Sequence, residues 1–183
     1  IEELRRKMKC QKIGDYLQEE ILRNTDNLLG KEDVLGVTKD KTYIKTVANL
    51  NGIDLSNYKV VKPRQFAYSN RINIGSIALR YDTPCSYTVF SVNEAKILSE
   101  YLLLWLSRSE FLHYAFFYSM GTVKDEMDVD DIGNMEIPIP DIKVQQEIVN
   151  IHKCYIERQR IADALKEQIN NICPVLIRGS LME

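Results

Sequence analysis

The C-terminal stretch that decides the fold of this chain is DIKVQQEIVNIHKCYIERQRIADALKEQINNIC, residues 141–173. It follows Pro138 and Pro140, and neither proline nor glycine recurs before Pro174. These two residue types are the usual helix breakers, and Asp141 is a good helix N-cap, so the stretch predicts one continuous helix of about thirty residues. At about 1.5 Å per residue, such a helix spans on the order of 46 Å.

The apolar residues of this predicted helix repeat at alternating spacings of four and three. This pattern forms a narrow stripe, which is typical of a coiled-coil seam rather than of a helix that lies on a globular core. A second helix of similar length must cover the stripe, and Ile1–Lys9 is too short to supply it. We therefore predict pairing with another copy, or with a missing half of this chain, through Val144, Ile148, Ile151, Tyr155, Arg158, Ala162, Leu165, Ile169 and Ile172.

Arg158 interrupts the apolar stripe. Our hypothesis is that two copies pack antiparallel about the helix centre, between Tyr155 and Arg158, so that Arg158 lies on the Tyr155 ring of the other copy. The same register pairs Ile151 with Ala162. A guanidinium on an aromatic face is a tolerable way to place a charge in a seam and is worth about 0.5–2 kcal/mol.

The residues before this helix predict a small β-rich body. Two β-prone runs, 34–38 and 42–47, flank a polar turn and predict a hairpin. Further short β-prone runs lie at 58–61, 65–68, 74–79 and 86–92. Ser99 can cap one strongly apolar helix and Ser109 can begin a second, and both are predicted to be core helices. The predicted fold class is α+β: a β-rich domain with packed helices, followed by one long C-terminal coiled-coil helix.

Charge is distributed unevenly along a chain that is almost neutral as a whole. The sequence has 24 Lys and Arg against 26 Asp and Glu, a formal net charge of −2, which argues against a generally basic nucleic-acid-binding protein. Residues 31–80, however, contain nine basic and four acidic side chains, whereas 81–140 contain three basic and ten acidic ones. Any anionic partner must therefore be held by a local patch in the first of these segments.

Between Leu55 and Tyr81 the sequence has no acidic residue, and its cations alternate with aromatic and amide side chains. Cations suit phosphate oxygens, and arginine and asparagine suit the edges of guanine and adenine. A solvated sheet face would show the same composition, so composition alone leaves both interpretations open. If the patch binds DNA, the predicted base-reading residues are Tyr68, Asn70, Arg71 and Asn73, and the predicted phosphate contacts are Lys39, Lys41, Lys62, Arg64 and Lys124.

The sequence contains no convincing catalytic or metal-binding motif. The acidic run 125–131 has only Lys124 adjacent; we interpret it as surface, with a metal-dependent nuclease as the less favoured alternative. There is neither an Asn-Pro-Pro-aromatic motif for a flipped adenine nor a glycine-rich loop for S-adenosylmethionine. We therefore predict that the chain is not an enzyme, with no catalytic residue, no metal and no cofactor of its own.

The cysteines and the hydropathy indicate a cytoplasmic protein. No apolar run approaches the roughly 18 residues of a membrane span. The cysteines are scattered without zinc-site spacing and fit a reducing compartment. They are Cys10, Cys85, Cys154 and Cys173.

A series of short motifs runs in order from about Lys12 to the C-terminus. They are Ile13-Gly14-Asp15, Tyr43-Ile44-Lys45-Thr46, Tyr58-Lys59-Val60-Val61-Lys62-Pro63, Tyr87-Thr88-Val89-Phe90, Gly121-Thr122-Val123-Lys124, Ile137-Pro138-Ile139-Pro140 and Gln145-Gln146-Glu147-Ile148-Val149. Each motif is weak alone. In this order and spacing they resemble the specificity subunits of type I restriction-modification enzymes.

The resemblance implies a target recognition domain over 12–140 and a long conserved helix over 141–173, with 1–11 and 174–183 as flanking segments. In that family each such domain, a mixed α/β globule, reads one half of a bipartite DNA sequence. Long helices join two domains and bind two methyltransferase subunits. This chain has one domain and one long helix, so it resembles a half subunit that pairs with itself.

A two-fold dimer of half subunits implies an interrupted, palindromic target in double-stranded DNA. The further partners implied are methyltransferase subunits, which would carry S-adenosylmethionine, and through the complex a restriction subunit; no membrane partner is expected. The main alternative is a coiled-coil adaptor whose globular head binds protein, and competition by DNA for the head would distinguish the two.

Overall fold

The computed structural model describes residues 2–38, 41–46, 49–68, 77–79, 88–119 and 127–180 of the 183-residue chain. The chain divides into two compact units, Ile1–Gln145 and Gln146–Glu183. The strands are β1 (Cys10–Lys12), β2 (Leu17–Glu20), β3 (Leu35–Val37), β4 (Tyr43–Lys45), β5 (Phe66–Tyr68), β6 (Ile77–Leu79), β7 (Thr88–Val92) and β8 (Glu136–Pro138). The helices are α1 (Glu2–Lys7), α2 (Ser99–Leu106), α3 (Ser109–Ser119), α4 (Val129–Gly133) and α5 (Ile142–Ser180).

The first unit is built on an antiparallel sheet in the order β2-β7-β5-β6. Two smaller antiparallel pairs, β1 with β8 and β3 with β4, lie outside this sheet. The β3–β4 pair confirms the predicted hairpin, with Val37 opposite Tyr43. The run 58–61, however, is not a strand: it contributes only an isolated bridge between Arg23 and Lys59. It still pairs with the chain around Arg23, since the Val60 N–H donates to the Leu22 carbonyl at 2.8 Å and the Asn24 N–H donates to the Tyr58 carbonyl at 3.0 Å.

The central strand β5 is buried on both of its faces. Phe66 stacks on Phe90 of β7, its cross-strand partner, with ring centroids 4.9 Å apart. Side chains alternate across a strand, so Ala67 points to the opposite face, where it packs with Val37 and Val89. The mixed strand-and-helix unit and the long C-terminal helix agree with the predicted α+β class.

The helix boundaries agree with the sequence in part. Asp141 caps α5 as predicted, since its Oδ1 accepts a hydrogen bond from the Val144 N–H at 3.0 Å. Ser99, by contrast, is the first residue of α2 and not its cap, and its hydroxyl contacts the Glu94 carboxylate. α5 also continues past Pro174 to Ser180, so this proline does not end the helix as the sequence predicted.

Most of the described side chains of the second unit are open to solvent, although Val149 is buried and Ile148 is half-buried. Every described side chain from 151 to 173 is exposed. Among the residues that the structure describes, no helix combines the length and the apolar character that crossing a bilayer requires.

Candidate nucleic-acid interface

The β3–β4 hairpin carries the first of the predicted phosphate-binding residues that the structure describes. Thr38 and Thr42 close its turn, the Thr42 N–H donating to the Thr38 hydroxyl at 3.2 Å. Lys41 extends from the turn to α2, where its Nζ donates to the Leu106 carbonyl and lies 5.4 Å from the centre of the Phe111 ring. This partial burial lowers the pKa of Lys41 to about 8. In this conformation the ammonium supports the hairpin and is not presented to a phosphate.

Arg64 is the second such residue, and it lies in a tight turn that follows Pro63. The Gln65 N–H donates to the Lys62 carbonyl at 3.2 Å, and Arg64 has a φ of 66°. Proline at the second position and a positive φ at the third are the pattern of a type II turn. The turn directs the guanidinium into an internal ion-pair cluster.

Two carboxylates already neutralise the Arg64 guanidinium. Its Nη2 lies 3.0 Å from Glu94 Oε2 and 2.8 Å from Glu100 Oε2, and these hydrogen bonds raise its pKa. A phosphate would have to compete with these two carboxylates for the guanidinium, whose charge they already balance. The structure therefore does not support Arg64 as a freely available phosphate contact.

Tyr68 was predicted to contact bases, and its placement contradicts that prediction. The side chain is 1% exposed, its ring packs edge-on against Phe90, and its hydroxyl donates to the Met127 carbonyl at 3.1 Å. Burial raises the pKa of the phenol. The physical reason is strand alternation: Tyr68 shares the aromatic, inward face of β5 with Phe66.

Among the described cations of the basic segment, Lys31, Lys45 and Lys62 are exposed and make no ion pair with the residues the structure describes; the Lys31 Nζ donates to Asn51 Oδ1 at 3.1 Å. Lys62 lies at the start of the type II turn, and Lys45 ends β4. Lys59 differs, because its Nζ lies 2.7 Å from Glu19 Oε1. Lys45 was not among the predicted contacts, although it belongs to the basic segment 31–80 and to the predicted hairpin.

The remaining predicted DNA contacts fall outside the described residues. They are Lys39, Asn70, Arg71, Asn73 and Lys124.

The acidic run has a structural role where the structure describes it. Asp128 caps α4: its Oδ1 accepts the Asp131 N–H at 2.9 Å, and Asp131 Oδ2 accepts the Asp128 N–H at 3.0 Å. Within the described ranges, no cluster of His, Cys, Asp or Glu side chains is arranged to hold a metal ion. This capping role accounts for two of the acids on which the nuclease alternative depends.

Gln145 is a structural residue whose role the sequence pattern did not reveal. It is fully buried, yet its amide is satisfied: Oε1 accepts the Leu98 N–H at 2.9 Å, and Nε2 donates to the Lys96 and Pro140 carbonyls at 2.9 and 2.8 Å. One side chain thus joins the first turn of α5 to the loop before α2 and to the segment after β8. Its position after Asp141, at the start of a helix, was the only local clue.

The predicted coiled-coil stripe is largely uncovered in the single chain. Val144 and Ile148, at its N-terminal end, are half-buried. The large side chains further along are more than half exposed: Ile151 by 71%, Tyr155 by 58%, Leu165 by 52%, Ile169 by 58% and Ile172 by 53%. Exposed apolar residues are ordinary on a surface when they are single, but a continuous stripe along a helix indicates a missing partner.

The comparisons with known proteins agree with this architecture. The sequence matches the family described as type I restriction modification DNA specificity domain over residues 16–171. Among solved structures, an HsdS subunit from Thermoanaerobacter tengcongensis is similar, with 20% identity and a TM-score of 0.69. Another, from a structure that describes complex assembly and conformational transition of the type I R-M system, has 18% identity and a TM-score of 0.60. Each alignment covers 94% of this chain and 48% of the other, so the chain spans about half their length. A search of curated proteins gives no match.

Proposed function

The chain belongs to the type I restriction modification DNA specificity domain family, and we propose that it is a half-length specificity subunit that reads one half of a bipartite double-stranded DNA target. The observation that carries this proposal is the extent of the family match, which includes both the β-rich unit and most of α5. The fold of the two solved relatives, each about twice as long, supports it.

We propose a DNA-contacting surface that is smaller than the sequence alone suggested. Asn70, Arg71 and Asn73 are the proposed base readers, since amide and guanidinium groups match base edges. Lys39, Lys62 and Lys124 are the proposed phosphate contacts, to which the exposed Lys45 is added. Lys41 and Arg64 are assigned to supporting the hairpin and the turn, because internal carbonyl and carboxylate groups hold both.

We propose that two copies pair antiparallel through α5, so that the dimer reads an interrupted palindrome. Each copy offers five large side chains that are more than half exposed. Covering each contributes about 1 kcal/mol, half the value of a fully buried side chain, so ten of them contribute on the order of 10 kcal/mol. Association costs about 4–15 kcal/mol, which means that pairing is favourable only if most of the stripe is covered.

The proposed complex contains catalytic partners, while this chain itself supplies recognition. Methyltransferase subunits bring S-adenosylmethionine, and a restriction subunit joins through the complex, which acts on DNA in the cytoplasm. Support comes from one of the solved relatives, whose structure describes complex assembly of the type I R-M system to which that protein belongs.

Reconstitution tests the proposed function. The chain is mixed with a type I methyltransferase subunit, labelled S-adenosylmethionine and a library of interrupted palindromes that differ in half-site and spacer. We expect methyl transfer to a small set of sequences, and none when either protein is omitted. Equal labelling of all sequences, or no labelling although the proteins form a complex, would refute the proposal. If the globular unit binds the methyltransferase and DNA does not compete for that binding, the result would favour the alternative of a coiled-coil adaptor that binds protein.

A matched pair of variants tests the proposed surface. Arg71→Ala is expected to change which half-site is preferred, whereas Lys62→Ala is expected to weaken binding to all sequences alike and to reduce the salt slope by about one. Fluorescence anisotropy on cognate and random duplexes at several salt concentrations measures both effects. Equal losses on cognate and random DNA for both variants would show that Arg71 does not read bases.

A further inference from the structure

We infer that the two copies pair in one register, with the two-fold axis between Tyr155 and Arg158, and that Arg158 of each copy stacks on the Tyr155 ring of the other. This inference rests on the proposed dimerisation and adds the register and the residue that selects it. The partner that covers the exposed stripe in this inference is a second copy of the same helix, because the stripe matches itself about this axis.

Arg158 is the residue that most restricts how the stripe can be covered. It makes no ion pair with any described residue, because the positions three and four residues away on the helix carry no acidic side chain. It nevertheless occupies a stripe position, one turn from Tyr155 on the same face. Its charge must be met by the partner helix.

A parallel pair does not meet that charge. In a parallel dimer each stripe residue faces its own copy, so the two Arg158 side chains would oppose each other across an interhelical distance of about 8–10 Å. Like charges in one layer of a seam repel each other. An antiparallel pair places a different residue opposite Arg158.

Antiparallel registers that keep the stripes facing differ by steps of seven residues. The register with its axis between Tyr155 and Arg158 pairs Val144 with Ile169, Ile148 with Leu165 and Ile151 with Ala162. In the register one seven-residue step toward the N-terminus, Arg158 faces Ile148. Leu165, Ile169 and Ile172 then lie beyond the start of the partner helix and have nothing to pack against. That register loses three of the largest side chains and is excluded.

The register one step toward the C-terminus is the competitor, since it pairs Ile172 with Ile148 and Ile151 with Ile169. It sets Arg158 against Ala162, whose methyl group offers the guanidinium neither charge nor an aromatic face. In the register that we infer, Arg158 meets a ring that is 58% exposed in the single chain. A cation on an aromatic face strengthens association by a factor of about 2–30 per contact, and the dimer contains two such contacts.

Disulfide trapping distinguishes the two registers. In a background where Cys10, Cys85, Cys154 and Cys173 are replaced by serine, one variant carries Ile151→Cys with Ala162→Cys, and the other carries Ile151→Cys with Ile169→Cys. Cβ atoms must approach to about 3.5–4.5 Å for a disulfide to form. We expect the first variant to form covalent dimers at least tenfold faster than the second. Faster linkage of the second variant overturns the register.

Control variants distinguish an incorrect register from a failure of the chain to dimerise. Ile151→Cys alone is expected not to link, because antiparallel packing separates the two copies of position 151; linkage would show a parallel pair. Circular dichroism confirms that each variant is folded. If neither double variant links but sedimentation shows a dimer, the register is wrong and dimerisation stands. If sedimentation shows only monomers at high concentration, the proposed dimerisation fails with it.

A double-mutant cycle tests the Arg158–Tyr155 contact directly. Arg158→Met and Tyr155→Leu keep the length and the apolar character of the stripe. Each single substitution already removes both Arg158–Tyr155 contacts of the dimer. The dissociation constant of the double variant should therefore rise at least about fivefold less than the product of the two single-variant increases. Multiplicative effects would show that the two side chains do not meet.

Discussion

Replacing Gln145 with methionine tests whether one buried amide holds the start of α5 in place. The change keeps the length and approximate volume of the side chain but removes all of its hydrogen bonds. Three main-chain groups then lose their partner: the Leu98 N–H and the Lys96 and Pro140 carbonyls. Gln145 is fully buried, and its contact with the Pro140 carbonyl is the most enclosed of the three.

The expected loss follows from those three bonds. A buried polar group left without its partner costs about 1–3 kcal/mol, and the gain from burying the thioether offsets part of this. The contact with Pro140 is buried, whereas the other two are only partly buried and are partly rehydrated. We therefore expect Gln145→Met to lower the free energy of unfolding by about 2–5 kcal/mol, a large part of the usual 5–15 kcal/mol.

Urea unfolding, followed by circular dichroism at one fixed protein concentration, measures this loss. Gln146→Met is the matched control, because Gln146 is the same residue type on the exposed side of the same turn, where its side chain donates to Asn150 Oδ1 at 3.0 Å. The control should change stability by less than about 0.5 kcal/mol. If Gln145→Met costs no more than the control, the buried amide does not anchor the helix.

A charged isostere adds a pH signature to this prediction. In Gln145→Glu the carboxylate faces two carbonyl oxygens and is desolvated, so its pKa must rise in the folded state. The unfolded chain then loses its proton first, and stability falls as the pH rises above the ordinary glutamate value of about 4.3. Unfolding curves between pH 4 and pH 8 check this slope, which Gln146→Glu should lack.

Three further predictions concern the same unit. A Cβ at Gly133 would lie 2.8 Å from the Gly14 Cα, so Gly133→Ala should cost about 1–3 kcal/mol in urea unfolding, whereas Gly30→Ala, with its nearest contact at 3.5 Å, should change little. Burial lowers the pKa of Lys41 from 10.5 to about 8. Between pH 8 and pH 10.5 the unfolded chain therefore binds more protons than the folded one, and the free energy of unfolding should rise with pH. Lys41→Met should flatten this rise, as measured by thermal melts at several pH values. Arg64→Gly should keep the turn, whose φ of 66° suits glycine, while it removes the Arg64 ion pairs of Glu94 and Glu100. A loss above about 1 kcal/mol in urea unfolding would show that the ion pairs dominate.

The long helix and the hairpin were predictable because their signals are local. Asp141 caps α5 through a residue three positions away, and the apolar stripe repeats within every two turns. The hairpin likewise depends on two short runs and the turn between them. Each signal is contained in a stretch of sequence that a single element occupies.

The environment of the basic residues was not predictable, because their partners are distant in sequence. Arg64 is neutralised by carboxylates 30 and 36 positions away, and Lys41 docks on a carbonyl 65 positions away. A count of charges along the chain treats both as free. Tyr68 shows the same limit: alternation predicts a strand, but which face is buried depends on the strands that pair with it.

These internal pairings change how a DNA-specificity domain of nearly neutral charge can bind DNA. Each phosphate contact contributes affinity through release of counterions, but only from a cation that is not already paired. Arg64 and Lys59 are held by carboxylates and Lys41 is docked on a carbonyl, so three of the six described cations of residues 31–80 are already engaged. A single unit should therefore gain less affinity from phosphates than its count of basic residues suggests, and the proposed pairing of two units on one duplex would multiply their affinity by raising the effective concentration of the second. A variant that abolishes pairing through α5 should accordingly lose far more affinity for a full target than for an isolated half-site.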